Sequence, residues 1–184
     1  MSRPLRVRGA GVKGQESNPH VWLDPRLASH AVKNILSALQ KADPLHAARY
    51  ATNAESYLKK LEDLDAELRQ FLQPVRDKPF VTSHDAYAYF VQRYELRLAG
   101  VVERVPDIEP SPRELANLYQ TIREKKATVI FAEPQFSSKL VRQMARDLGL
   151  EVAELDPMET GEPTASAYEE GMRRIAGTLL KHLK

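Results

Sequence analysis

The first clear hydrophobic pattern of the chain follows the pair Asp24 and Pro25. An aspartate followed by a proline is typical of a helix start, because the side chain caps the first turn and proline fits its first position. Apolar residues then recur at helical spacing, which predicts a helix with one buried stripe. The residues of this stripe are Leu27, Ala31, Val32, Ile35 and Leu39.

A second and longer helical pattern begins at Asp43 and Pro44, which repeat the same start signal, and it continues to Gln73. Its apolar residues alternate steps of four and three, as in a heptad repeat. They are Tyr50, Ala54, Tyr57, Leu61, Leu64, Leu68 and Phe71. Such a helix would be about 43 Å long, which indicates either a coiled coil or a spine laid across more than one lobe.

After Pro74 the pattern alternates between short strands and helices. Strands are predicted at residues 80–82, 98–103, 128–132 and 151–155, and helices near 85–94, 112–125, 137–148 and 164–183. Ser111, Pro112 and Glu114 have the pattern of a capping box, and Gly149 is typical of a helix end. This alternation predicts an α/β fold, a parallel sheet with flanking helices on both faces, preceded by the long helix.

Composition and charge narrow the classes of function. The 184 residues are 42% hydrophobic and 28% charged, which are values of a globular domain. A net charge of +2, with the two signs interleaved along the chain, argues against a nucleic-acid partner. The chain has no cysteine, so disulfides and thiolate metal sites are excluded.

Residues 1–17 differ from the rest of the chain. They are basic, but no apolar stretch follows the basic residues, so the segment is not a complete secretory signal. Gly9, Gly11 and Gly14 spell the dinucleotide-binding fingerprint, but no helix opens after them and no βαβ unit surrounds them. We interpret this segment as a disordered or non-native tail.

Polar residues follow each predicted strand, at the edge where parallel sheets bind ligands. Ser83 and His84 follow the first strand, Glu103 ends the second, Glu133 follows the third and Asp156 follows the fourth. Each of them alone has a structural explanation as a helix cap or a solvated side chain. Together they predict a ligand site, and an imidazole with carboxylates suits a divalent metal such as zinc or manganese.

An enzyme is the competing class of function. Ser83, His84 and Asp85 cannot form a catalytic triad, because three consecutive residues do not converge on one another. A metal-dependent hydrolase is chemically open, since zinc-bound water is a nucleophile, but no general base is evident. The sequence therefore favours a binding protein with no catalytic residues.

Six motifs in order also resemble the zinc and manganese receptors of bacterial ABC importers, the ZnuA-like solute-binding proteins. They are residues 18–25 (NPHVWLDP), the long helix that contains Asn53, 83–96 (SHDAYAYFVQRYEL), 109–112 (EPSP), 129–136 (VIFAEPQF) and 155–157 (LDP). The resemblance implies two α/β lobes bridged by one rigid helix. It divides this chain into an N-terminal-lobe remnant at 18–43, a spine helix at 44–73 and a C-terminal lobe at 74–184.

The resemblance also implies the metal ligands. By motif they are His20, His84 and Asp156, and manganese receptors of the family usually carry Glu in place of His84. Imidazole is softer than carboxylate, so zinc is the expected metal and manganese the alternative. Glu133 and Asp85 are candidates to orient the imidazoles as hydrogen-bond acceptors, and Trp22 is expected to pack beside the site. The other histidines, His30, His46 and His182, match no family ligand and are expected at the surface.

The implied role is a periplasmic or extracytoplasmic one: capture of Zn²⁺ and its delivery to an ABC permease in the membrane. The chain departs from the family pattern, since the N-terminal lobe with its further histidine, the signal peptide and the histidine-rich loop find no counterpart, and Glu95 replaces a usual glycine. We therefore expect a truncated receptor that corresponds to the C-terminal two thirds, with reduced affinity and with self-association through the exposed spine helix. A manganese or iron receptor and a non-transporting fragment are the alternatives.

Overall fold

A computed structural model describes residues 18–103, 110–134 and 139–184. Within them, the helices are α1 (Pro25–Ala42), α2 (Ala47–Leu72), α3 (Ala88–Tyr94), α4 (Pro112–Lys125), α5 (Lys139–Leu148) and α6 (Ala167–His182). The strands are β1 (Pro79–His84), β2 (Arg97–Glu103), β3 (Val129–Ala132) and β4 (Glu151–Glu154). The predicted tail at 1–17, with its glycine fingerprint, and the predicted helix start at Ser137 lie outside the described residues. None of the described helices is long and apolar enough to cross a bilayer.

The four strands form one parallel sheet in the order β2–β1–β3–β4. The chain passes from β1 to β2 on one side and then crosses to β3 on the other side of β1. The strand order thus reverses between β1 and β3, and the crevice at such a switch point is where open α/β sheets bind ligands. The predicted α/β fold with a parallel sheet is confirmed.

Alternate residues of each strand feed two hydrophobic cores, one on each face of the sheet. Phe80 and Phe131 pack in the core beneath α2, α3 and α6, whereas Val81 and Ile130 pack in the core beneath α4 and α5. This alternation is the period-two pattern of a strand that is buried on both faces. The prediction of helices on both faces is confirmed.

Each of the two long helices differs from its sequence pattern in which residues are buried. α1 packs against α2, but Ile35 and Leu39 remain 58% and 41% exposed, and Pro25 is the one buried residue of α1. The predicted buried stripe of α1 is therefore wrong, because α2 alone does not cover that face within the described residues. α2 buries most of its seam, although Leu72 is buried where the pattern indicated Phe71.

The α2 helix has 26 residues, about 39 Å at 1.5 Å per residue, and is flanked by 3₁₀ turns at Pro44–His46 and Gln73–Val75. The assignment of 18–43, 44–73 and 74–184 to a lobe remnant, a spine and a second lobe stays a prediction.

Helix ends follow the predicted capping chemistry. The Ser111 side chain accepts a hydrogen bond from the Glu114 amide, and the Glu114 carboxylate accepts one from the Ser111 amide, which completes the capping box. Gly149 follows α5 with φ +66°, and Glu95 closes α3 in the same left-handed region with φ 55°. Arg76 and Arg69 form ion pairs with Glu95 at this strained cap.

One ion-pair network joins the first three helices. Arg93 on α3 donates to both carboxylate oxygens of Asp65 on α2, and its Nε lies 3.8 Å from Asp24, the cap of α1. The side chains of Arg93 and Asp65 are 11% and 13% exposed. This network holds the segment that precedes α1 against α3, the helix that follows β1. Both segments contribute to the candidate metal centre described below.

Replacement of Arg93 should destabilise the fold, because it leaves the buried carboxylate of Asp65 without its bidentate partner. Arg93→Ala is expected to lower the free energy of unfolding in urea by about 3 kcal/mol. The control is Arg173→Ala, which removes a half-exposed partner of Glu67 and should cost less than about 1 kcal/mol. Equal losses in the two variants would contradict a structural role for the Arg93 network.

Candidate metal centre

His84 and Glu133 meet at the switch point of the sheet. His84 is the last residue of β1, and Glu133 directly follows β3 on the neighbouring strand. The His84 ring nitrogen Nδ1 lies 2.8 Å from Glu133 Oε1, and both residues are buried. Since a carboxylate oxygen accepts, Nδ1 carries the proton, and the Nε2 atom of the neutral ring keeps its lone pair.

His20 is fixed in the same manner by an amide. Asn18 donates through its Nδ2 to the backbone carbonyl of Asp85, 2.6 Å away, which sets the orientation of the amide. The Asn18 oxygen then accepts from the His20 backbone amide at 3.0 Å and from the ring atom Nδ1 at 2.7 Å. The His20 Nδ1 atom is therefore a donor, and Nε2 is the atom that is available to a metal.

The two imidazoles lie side by side. Their ring centroids are 4.8 Å apart, with the planes at 70°, and both residues are buried. Asn18 links the segments that carry the two imidazoles. Its oxygen contacts the His20 ring, and its amide donates to the backbone carbonyl of Asp85, the residue after His84. The sequence-predicted residues His20 and His84 are thus brought together, although 64 positions separate them in the chain.

The two imidazoles titrate differently. Burial and the neighbouring His84 lower the pKa of His20 to about 4, with Glu133 opposing the shift. Burial also acts to lower the pKa of His84, but the hydrogen bond and charge of Glu133, aided by Glu159 and Asp85, outweigh it and raise that pKa above 6.5. Near neutral pH His20 is therefore uncharged, and His84 is the imidazole that holds a proton more strongly.

Aromatic side chains hold the segment of His20 against the sheet. Tyr89 donates to the carbonyl of Asn18 at 3.0 Å, and Tyr168 donates to the carbonyl of Trp22 at 2.8 Å. The Trp22 ring packs beside His20 with centroids 5.2 Å apart, and its Nε1 donates to the carbonyl of Pro157. Trp22 thus packs beside the imidazole, as expected, and it ties the His20 segment to the loop after β4.

Asp156 lies on that loop, at the same edge of the sheet. Its Oδ1 accepts from the backbone amide of Glu159 at 3.1 Å, and its Oδ2 accepts from the Thr160 hydroxyl at 2.5 Å. Glu159 is the nearer carboxylate to the imidazoles, with its Oε1 atom 3.5 Å from His20 Nε2. Across residues 18–103, 110–134 and 139–184, no group of three or more histidine and acidic side chains converges as a complete metal site.

The other sequence-predicted residues have various placements. Glu133 contacts the His84 imidazole, the role for which it was a candidate, and Asp85 accepts from Asn18 through its backbone carbonyl. His30 and His46 are exposed, as expected. His182 is instead partly buried, 2.7 Å from Glu151, with its ring packed near Phe131.

Sequence reasoning missed the roles of Asn18 and Glu159. Asn18 is buried and stands two positions before His20, a spacing that permits a side-chain turn to the following backbone. This spacing is the feature of the sequence from which the role of Asn18 could have been predicted. Glu159 gives no comparable signal, because its position depends on how the loop after β4 folds back toward Trp22.

The pKa of His84 should depend on Glu133. In metal-free protein, Glu133→Gln is expected to lower the His84 pKa, because the protonated ring loses its negatively charged acceptor. Proton NMR of the imidazole C–H signals against pH measures this pKa, and His20 should titrate near pH 4 in the unmodified protein. The control is Glu103→Gln. Glu103 is a carboxylate opposite His84 on β2, and its replacement should leave the His84 pKa unchanged. An unchanged His84 pKa in Glu133→Gln would contradict the assigned hydrogen bond.

Comparisons with known proteins agree with this architecture. The family described as "Zinc-uptake complex component A periplasmic" matches residues 4–182. The high-affinity zinc uptake system protein ZnuA of Brucella abortus is 34% identical over 165 residues, which are 89% of this chain and 49% of that protein. The chain thus spans about half the length of the curated relatives of this kind.

Comparison with solved structures supports the same family. A crystal structure of ZnuA has a TM-score of 0.82 at 31% identity, over 99% of this chain and 66% of that one. The solute-binding protein FpvC from Pseudomonas aeruginosa in complex with Mn²⁺ has a TM-score of 0.77 at 32% identity, over 91% of this chain and 64% of that one. The chain belongs to the ZnuA family of periplasmic zinc-uptake components.

Proposed function

We propose that this chain captures Zn²⁺ outside the cytoplasm and passes it to the membrane permease of an ABC importer. The observation that carries the proposal is the buried pair of His20 and His84, whose rings lie 4.8 Å apart. Each ring has its Nδ1 atom held by a hydrogen-bond acceptor, so both can offer Nε2 to one ion. This arrangement of an imidazole and its outer hydrogen-bond partner is the usual one for zinc-binding histidines.

The donor set favours zinc over manganese. Two imidazoles are borderline-soft ligands that suit zinc, whereas manganese prefers sites made mainly of oxygen. The Mn²⁺ complex of FpvC keeps manganese as the alternative metal for the same site. Asp156 remains the predicted third ligand by family motif, with water in the fourth position.

Capture without turnover is the chemistry proposed for this site. His20 is neutral over the physiological range and is ready to bind, whereas His84 has to release its proton when the ion binds. Lower pH would therefore favour release of zinc, because a proton competes with zinc for His84. The proposal assigns no catalytic residue, and the partners are the metal ion and the permease. Self-association through the spine helix at residues 44–73 stays a prediction.

Zinc binding should depend on both imidazoles. Isothermal titration of the metal-free chain is expected to give one zinc per chain, with weaker binding of manganese. His20→Ala and His84→Ala should each weaken zinc binding by about 10-fold or more, because each removes one ligand.

The matched control is His182→Ala, whose imidazole contacts Glu151 and lies outside the proposed site. It should leave zinc binding unchanged. No zinc binding by the unmodified chain would indicate a non-transporting fragment, and binding that neither His20→Ala nor His84→Ala weakens would contradict the proposed site.

A further inference from the structure

β2 is an outer strand of the sheet and the longest of its four described strands. It has seven residues, and within the described chain it pairs only with β1, so the hydrogen-bonding groups along its other side have no partner strand there. Such an edge can accept a further strand from another molecule or from a second copy of the same chain. The outer edge of β2 is therefore a surface at which this chain can associate.

The pairing of β2 with β1 contains a register shift. Phe80 on β1 pairs with Leu98 on β2. The next residue of β1, Val81, pairs with Gly100. Ala99 is thus an extra residue on β2, as in a β-bulge, and it has no partner on β1. A bulge in an outer strand interrupts the regular row of hydrogen-bonding groups that a further strand needs.

Lys125 binds the bulged residue. Its Nζ atom donates to the carbonyl of Ala99 at 3.2 Å, in a partly buried hydrogen bond. Lys125 is the last residue of α4, the helix that packs on β2. A strand that added to this edge would lie beside an ammonium group, and burial of that charge without a partner would be costly. The bulge and the lysine together are two of the devices by which sheet proteins protect an outer strand.

The β2 strand is suited to pair with a second β2 strand. Its ends carry opposite charges, with Arg97 at the start and Glu103 at the end. Two copies that pair antiparallel about a two-fold axis bring the positive end of each strand beside the negative end of the other. Between the ends, Leu98 and Val101 are half-buried and lie on the same face of the sheet. Such pairing would therefore combine opposite charges with the burial of apolar surface.

The other outer strand of the described sheet, β4, has a different charge pattern. It has four residues, and exposed carboxylates stand at both of its ends, Glu151 and Glu154. Antiparallel pairing of two β4 strands would place like charges together, which is destabilising. Charge therefore favours the pairing of two copies at β2 rather than at β4.

We propose that the outer edge of β2 is a docking edge for a second copy of this chain, and that Lys125 keeps this edge closed by binding Ala99. Removal of the ammonium group lets two β2 strands pair antiparallel and joins the two sheets into one. Two strands of this length form a small interface, so the dimer depends on the concentration of the chain. The inference concerns the sheet edge and is independent of zinc binding.

Light scattering after size-exclusion chromatography of the metal-free chain tests the role of Lys125. Lys125→Met keeps an apolar stem and Lys125→Ala removes it, but both lose the ammonium group, so each should double the mass of the unmodified chain at high concentration. Lys125→Arg keeps a cationic donor and should leave the mass unchanged. The matched control is Lys126→Met, which removes the same charge from the next residue, an exposed one, and should also leave the mass unchanged.

A second substitution and a second measurement locate the interface. Arg97→Glu gives both ends of β2 the same charge, so in the Lys125→Met background it should restore the mass of the unmodified chain. Hydrogen exchange followed by mass spectrometry should show that amides of residues 97–103 in Lys125→Met exchange about 10-fold more slowly at high than at low concentration. Amides of residues 151–154 should show no such difference. The melting temperature checks that each variant keeps the fold.

Each contrary result would overturn the inference. An unchanged mass in folded Lys125→Met and Lys125→Ala would mean that Lys125 does not close the edge. Equal association of Lys126→Met would assign the effect to the loss of surface charge alone. A dimer that persists with Arg97→Glu, and that leaves residues 97–103 unprotected, would place the contact elsewhere, such as at the spine helix.

Discussion

The site depends on one constraint, the fixed position of the Nδ1 proton on each of two buried imidazoles. A neutral imidazole can offer a metal only the nitrogen that carries no proton, so the partner of Nδ1 decides which atom faces the ion. Asn18 makes this choice for His20, and Glu133 makes it for His84. The two acceptors also differ in charge, which agrees with the opposite pKa shifts of the two rings.

The rest of the structure brings these acceptors and imidazoles to the same point. The switch in strand order between β1 and β3 places His84 beside Glu133. The ion pair of Arg93 and Asp65, with Asp24 nearby, holds the start of α1 against α2 and α3. Tyrosine hydroxyls then bind the backbone carbonyls around His20. The proposed metal centre is thus built from contacts between segments that lie far apart in sequence, and each of its proposed ligands relies on a different element.

Much of the fold could be predicted from the sequence because it is encoded in local patterns. Short apolar runs between helical patterns predicted β1 to β4, and capping chemistry predicted the start of α4 at Ser111 and the end of α5 at Gly149. His84 was predicted at the ligand-binding edge from its position after a strand. His20 was predicted only through the resemblance to a family, since nothing local brings it to the sheet.

The remaining features depend on long-range packing. The stripe of α1 has helical spacing, but whether Ile35 is buried depends on what packs against that face. The role of Asn18 requires the carbonyl of Asp85, 67 positions away. Glu159 lies 3.5 Å from His20 on a loop that Trp22 holds through the carbonyl of Pro157, 135 positions away. Such contacts are set by the folded chain as a whole, and a sequence pattern does not indicate them.

The central claim is that His20 and His84 bind one zinc ion through their Nε2 atoms while Nδ1 stays protonated. Long-range proton–nitrogen NMR of the ¹⁵N-labelled chain with one equivalent of zinc tests this claim most directly, since it observes the four ring nitrogens separately. The account predicts that zinc shifts both Nε2 signals and leaves protonated Nδ1 signals on both rings. Loss of the proton from Nδ1 of either ring on zinc binding, or unchanged signals from either ring, would contradict it.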